Sequence, residues 1–131
     1  EVGVGSRTIG PFQVDTVRSN HPVECHAMRL TAGGRSLTYS GDTGECPDLV
    51  ELARGTDLFL CEASWTHSPD NPPGVHLSGR EAGEHAAQAG VGRLVVTHVV
   101  AWADPDAVVA EARAAFDGPV EQARCGTTTA V

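Results

Sequence analysis

From Ser36 onward the chain repeats one alternation three times: a short, almost wholly apolar run, a polar turn, then a helix pattern with its own start and stop signals. Runs such as Asp57–Cys61 (DLFLC) and Arg93–Thr97 (RLVVT) show little period-two alternation, which suits strands covered on both faces. Helix patterns lie between them. Pro47–Arg54 has Pro in its first turn and Gly55 as its stop, and Ser78-Gly79-Arg80-Glu81 reads as a capping box opening a helix to Ala89, before Gly90. Asp104-Pro105 starts a third helix through Phe116, and Val120–Cys125 supplies a last strand. Before this region come three extended stretches: Phe12–Arg18, Val23–Leu30 and Ser36–Ser40, the last two joined at Ala32-Gly33-Gly34. The order is β-β-β-α-β-α-β-α-β, an α/β layout with helices packed on a mixed sheet.

The 131 residues predict one domain, 1–131. A net charge of -8, with every basic residue an Arg, argues against a broad nucleic-acid surface. No apolar run approaches the roughly 20 residues of a membrane span, and no secretory leader is expected. Cysteines 25, 46, 61 and 125 have no C-x-x-C spacing, so reduced thiols and a cytoplasmic location are expected. Ser64–Val75 is a long, Pro-rich loop between a strand and a helix, the kind of segment that carries function or moves.

In an open α/β sheet, ligands gather where strands end. Asp42 follows one strand inside Ser40-Gly41-Asp42-Thr43-Gly44, His98 ends another, and His21 precedes Pro22 at the entry to a third. A carboxylate and two imidazoles are suitable zinc ligands. Spacing alone also allows a turn-forming Asp, a lone strand-end His and a loop His.

The run Tyr39-Ser40-Gly41-Asp42-Thr43-Gly44, then the strand ending Cys61-Glu62-Ala63-Ser64, then Leu94-Val95-Val96-Thr97-His98, resembles the second half of metallo-β-lactamase-fold hydrolases, in the ribonuclease Z-like branch. The resemblance implies half of an αββα sandwich. It implies a site with two Zn²⁺ ions (Mn²⁺ as an alternative), which Asp42 bridges and which His21 and His98 help to hold. Cys61–Ser64 stands where the family has H-E-A-T and His76-Leu77-Ser78 where it has H-S-T, so His76 and Glu62 are the implied catalytic pair. His76 would stabilise phosphate charge or protonate the leaving oxygen, and Glu62 would orient it.

The family's H-x-H-x-D-H is not among the six histidines, so the N-terminal half of the fold is absent from this chain. Only twenty residues separate His21 from Asp42, too few for a tRNA-binding arm, and Val99-Val100-Ala101-Trp102 replaces the usual S-x-R-Y-like continuation. These departures point to a small phosphodiester such as a cyclic nucleotide rather than nucleic acid. A ribonuclease, or a truncated binding module without catalysis, remains the alternative, and a homodimer is compatible with either. His85, four residues after Glu81, is expected on an exposed helix face, and His67, Trp65 and Trp102 flank the site in sequence.

Overall fold

The computed structural model describes residues 3–131. Seven strands form one sheet in sequence order. The strands are β1 (Gly5–Ile9), β2 (Phe12–Arg18), β3 (His26–Ala32), β4 (Arg35–Tyr39), β5 (Leu58–Glu62), β6 (Leu94–Thr97) and β7 (Val120–Gln122). Between them lie α1 (Pro47–Ala53), α2 (Gly79–Ala89) and α3 (Pro105–Ala115). β1 to β4 pair antiparallel, and β4 to β7 pair parallel, each parallel crossover running through one helix.

The order of elements is the expected one with one strand added at the front. β1 escapes sequence reading because it is an edge strand exposed along nearly its whole length, so neither face imposes an apolar alternation. β3 starts at His26 rather than Val23. The segment before it is a loop in which Ser19 N–H donates to the Cys25 carbonyl at 2.9 Å, and Pro22 has no N–H for a ladder. β7 stops at Gln122, short of Cys125.

Alternation along the strands divides the sheet into two unlike faces. Phe59, Cys61, Leu94 and Val96 point to the helix side, where they pack with Leu49, Ala82, Ala86, Val108 and Ala112 in one fully buried core. Leu58, Leu60 and Val95 point the other way, in line with Leu37 on β4 and Leu30 on β3. Among the described residues no helix covers this second face, and the C-terminal residues Thr127, Thr129 and Val131 lie against part of it. An apolar sheet with helices on one side only is half of an αββα sandwich.

Two caps act as the sequence predicts. The Ser78 hydroxyl accepts from Glu81 N–H at 3.3 Å, and Glu81 accepts from Ser78 N–H at 2.7 Å. Asp104 accepts from Asp106 N–H at the start of α3. Helices α2 and α3 touch backbone to backbone at Gly83, where a Cβ would stand 2.5 Å from the Ala112 carbonyl oxygen. Within residues 3–131 no helix is long and apolar enough to cross a membrane. All four cysteines are free thiols.

Candidate metal centre

Because β2, β4, β5 and β6 all run in one direction, their C-terminal ends share one edge of the sheet. His21 follows β2, Asp42 follows β4, Glu62 ends β5 and His98 follows β6. The long loop after β5 returns His76 to the same edge. The structure therefore brings all five predicted site residues together. Ligand atoms of His21, Asp42 and His76 lie within 4.8 Å of one another, and so do those of Glu62, His76 and His98. His76 is the middle ring of three, 5.6 Å from His21 and 5.0 Å from His98 between centroids.

Local chemistry fixes each loop. Gly41 has φ +60°, and a Cβ there would meet the His26 carbonyl oxygen at 2.7 Å, so only glycine lets the turn before Asp42 lie this close to β3. Asp42 N–H donates to the Cys25 sulfur at 3.3 Å. The loop carrying His21 is stitched to the same turn: Asn20 N–H donates to the Thr43 hydroxyl at 3.1 Å, and Gly44 N–H to the Asn20 carbonyl at 2.8 Å. His98 has φ 60°, the one non-glycine residue in the left-handed region among those described. Such a backbone costs of order 1–3 kcal/mol and persists only where its surroundings hold it.

Glu62 organises the centre. It is fully buried, yet its carboxylate is surrounded by donors. Oε1 accepts from Thr43 N–H at 2.6 Å and lies 2.9 Å from His76 Nδ1, while Oε2 accepts from the Ser64 hydroxyl at 3.1 Å. Its own N–H donates to the Ser40 hydroxyl at 2.9 Å. Burial pushes the carboxyl above its ordinary value, and the bonds from Thr43, His76 and Ser64 pull the other way. The neighbouring Cys61 thiol, wholly buried, is pushed well up and stays protonated and inert. Tyr39 is raised by burial first and by Asp42 next, so its phenol remains neutral.

Asp42 and His98 are part-exposed, with side-chain exposures of 38% and 43%, so an ion and a substrate could reach them. Their facing atoms, Asp42 Oδ1 and His98 Nε2, are 3.9 Å apart, too far for a hydrogen bond and suited to a shared cation between them. His21 Nδ1 lies 3.0 Å from the Val23 carbonyl and 3.3 Å from the Val23 N–H; donation to the nearer carbonyl leaves Nε2 with a free lone pair. Neutral imidazole nitrogens and carboxylate oxygens form a donor set that fits Zn²⁺ or Mn²⁺. Beside the cluster is a cavity of about 370 Å³ lined by Asn20, Gly44, Ser68, Asn71, His76 and Glu81 among others.

Other expectations divide. His67 sits beside the α2 capping box, its Nδ1 3.3 Å from the Ser78 hydroxyl, and Trp65 packs edge-on against His76 at 5.4 Å. Trp102 is 83% exposed. His85 is not on an exposed face. It is buried, its Nδ1 2.8 Å from the Glu81 carbonyl and its Nε2 accepting from Cys46 N–H at 3.1 Å, so it ties the start of α1 to α2. Ser64 and the Thr43 N–H were not expected in the site. The spacing of Glu62 and Ser64, two apart on an extended segment, was the available signal for the first.

Residues 2–99 match the beta-lactamase superfamily domain. The chain belongs to that superfamily. It is 55% identical to an uncharacterized protein of Mycobacterium tuberculosis over 97% of this chain and 45% of that protein. Its identity to the probable metallo-hydrolase YhfI of Bacillus subtilis is 32%, over 91% of this chain and 49% of the relative. The crystal structure of YhfI, a metallo-β-lactamase fold protein, matches with a TM-score of 0.87, covering 93% of this chain and 51% of that one. Ribonuclease Z of Myxococcus xanthus is 41% identical over 72% of this chain and 32% of its own length. The superfamily member described here thus has a metallo-β-lactamase fold and ribonuclease Z-like relatives, and it spans half or less of the length of the curated relatives it matches.

Proposed function

We propose that this chain forms the C-terminal half of a metal-dependent hydrolase of phosphodiesters, with a small substrate such as a cyclic nucleotide. One observation carries the reading: His21, Asp42, Glu62, His76 and His98, from five separate segments, converge at a single sheet edge. In this reading His21, Asp42 and His98 hold Zn²⁺, or Mn²⁺, with further ligands supplied by the rest of the full-length protein. The bound metal supplies Lewis acidity and a hydroxide at neutral pH. Asp42 would help hold the metal, and as a carboxylate it has two oxygens to offer.

His76 acts on the phosphate. Its Nδ1–H donated to Glu62 fixes the ring and leaves Nε2 as the nitrogen that holds or delivers a proton. The Glu62 carboxylate, 2.9 Å from Nδ1, holds the ring so that Nε2 is the nitrogen free to face the leaving oxygen. His76 also lies within ligand distance of His21 and Asp42, which favours a second reading in which it binds metal directly.

Small substrates are favoured by three features. The residues between His21 and Asp42 form a β3–β4 hairpin with no arm. The chain carries a net charge of -8. The cavity of about 370 Å³ beside His76 has the size of a small-molecule site. Four free thiols are in keeping with a cytoplasmic setting.

The test uses the full-length protein, its metal content read by elemental analysis and its rates measured on cyclic nucleotides and on precursor tRNA. Cyclic nucleotides should be cleaved faster. Faster cleavage of the tRNA would make it a ribonuclease, and no cleavage of either by metal-loaded protein would leave a binding module. Asp42→Asn should lower metal content and turnover together by orders of magnitude while the fold persists.

A further inference from the structure

The hydroxyl of Ser64 lies between His98 and the Glu62 carboxylate, 3.0 Å from His98 Nδ1 and 3.1 Å from Glu62 Oε2. Ser64 is fully buried, its N–H donates to the Leu77 carbonyl at 2.9 Å, and its carbonyl accepts from Val100 N–H at 3.1 Å. It is therefore a fixed point between the two loops that carry His76 and His98.

A hydroxyl has one proton to give. Three acceptors are in reach, His98 Nδ1 at 3.0 Å, the Glu62 carboxylate at 3.1 Å and the His98 carbonyl at 3.3 Å, and a carboxylate is the strongest acceptor of the three. With that proton committed to Glu62, the hydroxyl meets His98 Nδ1 with a lone pair. Nδ1 must then carry the ring hydrogen, and Nε2, which faces Asp42 at 3.9 Å, keeps its lone pair. The same carboxylate sets His76 the same way, directly through Oε1.

We infer that Ser64 is a positioning residue for the metal centre: its hydroxyl selects the Nδ1–H form of His98, holds the ring and so presents Nε2 for coordination. The inference rests on the reading of His98 as a ligand. It also explains how a histidine keeps a left-handed backbone there, since the ring is tethered by Ser64 on the strand side. Without the hydroxyl, His98 Nδ1 has no partner nearer than Glu62 Oε2 at 3.8 Å, and neither tautomer is selected.

The test compares full-length wild type with Ser64→Ala. In the metal-free proteins, long-range ¹H–¹⁵N spectra at about pH 8 report the tautomer of each neutral imidazole. Wild-type His98 and His76 should both carry the hydrogen on Nδ1. In Ser64→Ala, His98 should become a mixture or change to Nε2–H, while His76 stays as it was. Zn²⁺ affinity, measured by competition with a chelator, should fall about 10–100-fold. If Ser64→Ala fails to fold, Ser64→Cys keeps the side-chain size, replaces the hydroxyl with a poor hydrogen-bonding thiol and gives the same readouts. An unchanged His98 tautomer overturns the inference. Unchanged Zn²⁺ affinity in His98→Ala would instead remove His98 from the ligand set, and the tautomer spectra would still decide the role of Ser64.

Discussion

Replacing Glu62 by Gln should reverse the hydrogen-bond chain that ends on His98. The amide has one oxygen and one NH₂ where the carboxylate has two acceptors. The Oε1 position faces two donors, the Thr43 N–H at 2.6 Å, which cannot turn round, and His76 Nδ1 at 2.9 Å. The amide oxygen must take that side. The NH₂ then meets Ser64, whose hydroxyl becomes the acceptor and sends its own hydrogen toward His98 Nδ1 at 3.0 Å. His98 is driven to carry its hydrogen on Nε2, the nitrogen that would bind metal. Zn²⁺ affinity should drop by about 10–100-fold, the range usual for losing an outer partner of a ligating His. Stability should change much less. Three bonds lose charge assistance at about 1 kcal/mol each, and the several kcal/mol cost of burying a carboxylate is removed. The thermal midpoint of the metal-free protein should therefore move by only a few degrees. The assay is chelator competition for affinity and a thermal melt for the metal-free protein. Undiminished Zn²⁺ affinity in a folded Glu62→Gln variant would refute the reasoning, because the chain Glu62–Ser64–His98 would then transmit nothing.

Three other outcomes are expected. His76→Ala should lower turnover by about 10²–10⁴-fold with metal content intact, measured as rate and bound metal on the same sample; loss of metal would place His76 among the ligands. Glu62 also gives a pH signature. Its carboxyl is raised in the folded state, so its contribution is present below the unfolded value near 4.5 and is lost as pH rises through the folded value. Urea midpoints of the metal-free protein should fall, relative to Glu62→Gln, from about pH 4.5 toward neutrality; parallel profiles would contradict it. Gly83→Ala puts a methyl 2.5 Å from the Ala112 carbonyl oxygen and 2.8 Å from the Ala115 Cβ. It should destabilise by about 1–3 kcal/mol despite alanine's better helix propensity, and a stabilised variant would show that α2 and α3 separate freely.

The strands and helices that were legible are those whose surroundings leave a pattern. The runs DLFLC and RLVVT contain β5 and β6, buried along most of their length, and the starts of α2 and α3 carry capping residues whose bonds are made in the structure, while α1 starts on Pro47 with no side-chain cap. β1 left no pattern because it is an exposed edge. His85 was misplaced for a different reason. Its spacing from Glu81 drew attention to a charged face, yet Ala82, His85, Ala86 and Ala89 follow the i, i+3, i+4, i+7 stripe that turns inward. The stripe was visible, and the residue type hid it. For the candidate site, the sequence showed each strand-end group but not that they share an edge. That follows from β4, β5 and β6 pairing in order and in parallel, a long-range fact no local motif contains.

Glu62 marks where residue type and environment disagree most, and the disagreement is informative. A carboxylate at the end of a central strand is ordinarily a solvated group, whereas here burial is complete and the donors around it do not fully offset the loss of water. In the metal-free protein burial therefore disfavours its ionised form. A cation bound at the proposed centre would offset that cost. The same contacts that orient the two rings would then couple folding to metal binding: an ion that binds the native centre and not the unfolded chain stabilises the fold in proportion to the logarithm of its concentration above the dissociation constant. In this reading the buried carboxylate lowers the stability of the metal-free protein and, in return, sets which nitrogen His76 and His98 turn toward the centre.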